Sequence, residues 1–167
     1  MLVDRTGAIP DRWTVLGEDD PLPDGPAILP LARLAEATGR EGPSGVHLPN
    51  MADPHSVAPH FDDLDLISVD FPGFADGRGF SIGRLIRDLG YAGRLRATGP
   101  LIADQFAYLL ECGFDEVAVS ESVAARQPAS LWVERLGTVT LAYQRGAVAD
   151  APTRASILER RRHAAGG

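Results

Sequence analysis

From Gly45 to Asp115 the chain alternates short, nearly continuous apolar runs with segments whose apolar residues recur at helical spacing. GVHLP, LDLISVDF, GRLRATG and DEVAVSE read as strands, and LDLISVDF is near-continuously apolar, as strands buried in a parallel sheet are. SIGRLIRDLGY reads as a helix with Ser81 as N-cap and Gly90 ending it, and PLIADQFAYLLECGF as a helix closed by Gly113. Asp53 is placed to cap a short helix whose first turn holds Pro54. SVAARQPASLWVERL reads as one short helix or as two pieces broken at Pro128. TVTLAYQ has the alternation of a last strand.

The flanks are less regular. The first thirty or so residues, with PLPDGP at Pro21 to Pro26, read as an extended arm carrying one short strand at Trp13 to Leu16. AILPLARLAEATG has helical spacing, but Pro30 confines any helix to the residues after it. Beyond Gln144 the tail is rich in Ala, Arg and Gly and reads as frayed or disordered. The predicted organisation is an arm and short helix over residues 1–44, a core of βα units over 45–144, and a flexible tail over 145–167.

Strands alternating with helices imply βαβ units, hence an α/β fold with a mostly parallel sheet: half of a β/α barrel or a small doubly wound sheet. At 167 residues the chain is too short for a full eight-unit barrel. Both architectures gather functional groups at the carboxyl ends of the strands. Asp70, Thr98-Gly99-Pro100 and Ser120-Glu121 stand at those ends.

Composition removes several classes of function. A net charge of −7 argues against general binding to nucleic acid or to an anionic membrane. No apolar run reaches the roughly 18 residues of a membrane span, and MLVDRTGAIP has no secretory signal pattern. With a single cysteine, Cys112, the expected setting is the cytoplasm. All 16 basic residues are arginines. Without lysine there is no Schiff base and no P-loop, so anion binding must use Arg or backbone N–H groups.

The stretch FPGFADGRGFS, Phe71 to Ser81, joins a strand end to a helix start. Its glycines do not have the G-x-G-x-x-G spacing of a dinucleotide loop, and no acid stands at the end of the next strand. No cofactor is expected. One reading is an anion or partner site: Gly77, Arg78, Gly79 and Ser81 at the helix N-terminus, with Arg84 and Arg87 three apart on one helical face. The other is a rigid turn in which Asp76 caps the backbone, Gly77 and Gly79 supply positive φ, and Arg78 pairs internally with Asp70. Asp70 and Asp76 are the weak candidates for a catalytic base. His47, His55 and His60 lack metal-site spacing, so no metal is expected. Cys112 reads as packing, and Asp104 with Gln105 as first-turn helix residues.

From FPGFADGRGF to ECGFDEV the sequence resembles the bacterial family DUF934, through F-x-D-G-R-G-F-S, L-R-A-x-G, D-Q and C-G-F-D. The matching positions include Phe74, Asp76, Gly77, Arg78, Gly79, Ser81, Arg84, Arg87, Arg96, Gly99, Asp104, Gln105 and Cys112. Pro100 stands where the family commonly has an acid, Ala103 where it has Arg, and Asp70 where it has Glu. The family's genes lie beside those of sulfite reductase. The resemblance therefore implies an accessory protein of sulfur assimilation that binds a small oxyanion or docks to a sulfite reductase or another sulfur-assimilation protein; a homodimer is a separate option. Its alternatives are a small-molecule enzyme with an Arg/Asp site at the strand ends, and a non-catalytic assembly module.

Overall fold

A computed structural model describes residues 1–73 and 75–146, with side chains through Gly137. Eight strands form one sheet: β1 (Leu2–Asp4), β2 (Gly7–Ile9), β3 (Thr14–Val15), β4 (Ala27–Pro30), β5 (Ser44–Leu48), β6 (Leu66–Asp70), β7 (Arg94–Gly99) and β8 (Glu116–Val119). Their order across the sheet is β2-β1-β8-β7-β6-β5-β4-β3. From β3 to β8 neighbours are consecutive and parallel, whereas β1 is antiparallel to both β8 and β2. The sheet is thus mixed. The parallel run has no point where strand order reverses, which sets it apart from a doubly wound sheet.

Helices α1 (Leu34–Gly39), α2 (Arg78–Asp88), α3 (Phe106–Glu111), α4 (Glu121–Ala124) and α5 (Ala129–Gly146) complete the fold. A run of consecutive parallel strands with right-handed crossovers puts its helices on one face. That face holds the core: Leu29, Val46, Leu48, Ile67, Val69, Leu95, Ala97, Val117 and Val119 from the strands meet Ile82, Ile86, Phe106 and Leu109 from the helices. None of the described helices is long and apolar enough to cross a membrane.

The sheet curls into a half-barrel. Only Pro10–Trp13 separates β2 from β3, the two outermost strands. Five Cα–Cα steps reach at most about 19 Å, whereas the edges of a flat eight-stranded sheet stand about 33 Å apart. This short strap crosses the concave face, where Asp11 accepts two hydrogen bonds from Arg96 of β7 at 2.9 and 3.0 Å.

Several elements differ from the sequence pattern. The first thirty residues hold four strands rather than an arm with one, and all join the same sheet as β5–β8. The segment read as a last strand, TVTLAYQ, continues α5 instead. A strand there would need β8's outer edge, which β1 already occupies. Pro128 does divide its segment, separating α4 from α5. The tail from residue 147 and Phe74 lie outside the described residues.

Candidate functional site at the strand carboxyl ends

α2 begins at Arg78, with Gly77 as its N-cap. Ser81 is therefore an exposed residue inside the helix and not its cap. Gly77 has a φ of −80°, and neither it nor Gly79 is among the positive-φ glycines. Gly79 is required for closeness: a Cβ there would fall 2.5 Å from the Phe71 ring. Gly99 combines both demands, with a φ of 143° and room for no Cβ against the Phe71 carbonyl.

Arg78 does pair internally, but with Asp76 and not Asp70. Its Nε and Nη2 donate to the two carboxylate oxygens at 3.1 and 2.7 Å, and its backbone N–H donates to Oδ1 at 3.1 Å. Asn50, from the loop after β5, donates its side-chain N–H to Asp76 Oδ2 at 2.6 Å. The Arg78 hydrogen bonds, with Asn50 contributing, hold the Asp76 carboxyl down at about 2. The turn reading thus describes Asp76, although Gly79 works by closeness and Gly77 has open space at its Cα with an ordinary φ.

The three arginines of the helix do not converge. Arg78 lies at the carboxyl ends of the strands, while Arg87, nine residues on and about 13 Å along the axis, lies at their amino ends. There its Nε donates to the Gly113 carbonyl (2.8 Å), Nη1 to the carbonyls of Tyr91 (2.7 Å) and Gly93 (2.8 Å), and Nη2 to Asp115 (2.6 Å). Arg87 is thereby committed to the fold. Arg84 is exposed and lies near Tyr108 and Cys112. Tyr108, on α3, is 55% exposed and packs on Phe80 of α2 with ring centroids 4.8 Å apart.

Strand register reveals what the linear sequence does not. On the concave face, Pro30, His47, Ser68, Arg96, Glu116 and Asp4 are lateral neighbours across six strands. Arg96 and Glu116 are both buried and bond at 2.8 Å, and Glu116 also takes Arg94 Nε at 2.7 Å. Arg96, a family-pattern position, therefore holds strands and strap together rather than facing a ligand. Toward the strand ends, His47 Nδ1 and Ser68 Oγ are 3.1 Å apart, and Ser68 Oγ and Thr98 Oγ1 2.8 Å. Asp70 is half-buried, in register with Thr98 and close enough to act on His47. Burial nonetheless pushes the His47 imidazole down, favouring the neutral ring. His55, whose backbone N–H is capped by Asp53, and His60 lie on the short 3-10 turns after β5.

A family model for bacterial proteins of unknown function, DUF934, matches residues 45–154. The chain belongs to the DUF934 family. A search of curated proteins gives no match. In this DUF934 chain the matched region begins inside β5, so the strap and β1 to β4 precede it.

The remaining motif residues of this DUF934 chain serve local structure. Gln105 Oε1 accepts from the Ile102 N–H at 3.1 Å, satisfying a helix-start donor. Asp104 pairs with Arg135 of α5 at 3.0 Å. Cys112 is buried, and burial pushes its thiol up, away from the reactive thiolate.

Proposed function

We propose that this protein is a non-catalytic accessory protein of bacterial sulfur assimilation that acts by docking to a sulfite reductase. The observation that carries the reading is the allocation of the motif's arginines. Arg87 has every guanidinium nitrogen engaged within the fold, and Arg78 spends the Nε and Nη2 edge of its guanidinium on the Asp76 carboxylate. Arg84 is left exposed beside the Phe80–Tyr108 pair. An arginine next to exposed aromatic surface is the composition favoured at the centre of protein interfaces. The link to sulfur assimilation rests on the family resemblance. The redox groups would belong to the partner, because one cysteine cannot ligate an iron–sulfur cluster.

The test mixes the purified chain with a sulfite reductase from the same source and measures the complex by titration calorimetry. Wild-type binding that weakens roughly ten-fold or more in Arg84→Glu and in Tyr108→Ala is the expected result. Wild-type protein that does not bind, or Arg84→Glu that binds unchanged, removes the docking reading. A melting temperature that rises with sulfite, and no longer rises in Arg78→Ala, would instead favour the oxyanion site.

A second reading is favoured by the His47–Ser68–Thr98 chain beside Asp70. A neutral imidazole and a carboxylate at strand ends suit a small-molecule enzyme with Asp70 as general base. Turnover that is lost in Asp70→Asn while the fold is retained would support it.

A further inference from the structure

We propose that the cavity beneath the Pro10–Trp13 strap binds a small zwitterion carrying a carboxylate and an ammonium group, as an α-amino acid does. The cavity measures about 300 Å³, the lower end of the range for small-molecule sites. Its apolar wall includes Leu2, Ile9 and Pro10. Its charged wall brings together Arg12, Arg94, Arg96, Asp4 and Glu116.

Most of this charge is already paired. Arg96 holds Glu116 and the strap's Asp11, and Arg94 holds Glu116. What remains is one cation, Arg12, and the carboxylate of Asp4, which has no ion-pair partner among the described residues. Among the described residues Arg12 makes no hydrogen bond or ion pair, and it is exposed at the cavity wall. Asp4 takes both Thr6 donors on Oδ1 and a further backbone hydrogen bond from Gly7, with Arg94 nearby, and no described side chain forms an ion pair with it. Trp13 adds an indole donor to the lining. With the strap's Asp11 included, three arginines meet three carboxylates around the cavity, and such a surround favours a ligand carrying both charges over a multiply charged anion, which Asp4 and Glu116 would repel. The cavity lies on the concave face, away from the α2–α3 surface, so binding here is independent of docking there.

The experiment is a thermal-shift and calorimetric screen of the full chain with alanine, serine and glutamine as probes. Sulfate, citrate and N-acetylalanine, which lacks the ammonium group, are the controls. At least one amino acid should raise the melting temperature, because a ligand that binds only the native state stabilises it. Arg12→Ala alters an exposed strap residue, so the fold should persist while affinity falls roughly ten-fold or more. Arg84→Ala, on the other side of the sheet, should bind as the wild type does. The inference fails if no amino acid shifts the melting temperature, if Arg12→Ala binds unchanged, or if sulfate, citrate or N-acetylalanine binds as tightly as the amino acids.

Discussion

The two ends of the parallel strands use the same residue type in opposite ways. At the amino ends, Arg87 sits 11% exposed and joins the helix to two loops through three carbonyls and a carboxylate. Around it, Tyr91 donates its hydroxyl to the Leu64 and Arg94 carbonyls, and Asp115 accepts the Leu95 N–H. At the carboxyl ends, Arg78 is 58% exposed and, among the described residues, pairs with Asp76 alone, two residues before it. Burial and the number of acceptors decide the difference. A guanidinium surrounded by orphan loop carbonyls is part of the architecture, whereas one held by a single neighbouring carboxylate in water is an adjustable surface group. In β/α folds the first end reads as stability and the second as function.

The largest effect is expected where that contrast is sharpest. Arg87→Ala leaves the carbonyls of Gly113, Tyr91 and Gly93 without their donor and Asp115 without its cation. It should lower unfolding stability by about 2–4 kcal/mol, measured by urea denaturation. A loss no larger than that of an exposed salt bridge would erase the distinction between the two ends.

A smaller effect tests whether helix α2 must lie close to its neighbours for Arg87 to reach them. A Cβ at Gly83 would fall 2.3 Å from the buried Phe114 ring. Overpacking of about 1–3 kcal/mol is offset in part by the roughly 1 kcal/mol that alanine gains over glycine within a helix. Gly83→Ala should therefore be destabilising by about 1 kcal/mol in the same assay. A neutral or stabilising result would show that the helix can lift without cost.

These two ends were unequally legible in the sequence. Strands β5 to β8 and helices α2 and α3 follow from apolar runs and terminal glycines. Gly90 and Gly113 both adopt positive φ, and after each helix the next two N–H groups bond back to its last turn. β1, β2 and β4 were hidden because three or four residues leave too little alternation to register. TVTLAYQ misled because its local pattern suits a strand while the only suitable sheet edge is taken by β1. The three-residue spacing of Arg84 and Arg87 suggested a shared site. Where Arg87 points depends on acceptors more than twenty residues away, Gly113 and Asp115, which spacing cannot supply. The row from His47 through Ser68, Arg96 and Glu116 to Asp4 is a product of register alone, and no local motif announces it.

The smallest effect belongs to the carboxyl-end pair and depends on pH. Arg78 holds the Asp76 carboxyl at about 2, below its ordinary 3.8. A depressed acid pKa in the folded state means that the native form binds fewer protons than the unfolded chain between those values. The contribution is therefore complete above about pH 3.8 and is lost as pH falls toward 2. Because the pair stands in water, salt and solvent screen it, and Arg78→Ala should leave the melting temperature at pH 7 essentially unchanged. Whatever small difference separates variant from wild type at neutral pH should close as pH falls from about 3.8 toward 2, because only the wild type has this contribution to lose. A melting temperature at pH 7 that falls as far as in Arg87→Ala would make Arg78 an architectural residue too, and α2 would then hold no adjustable arginine except Arg84.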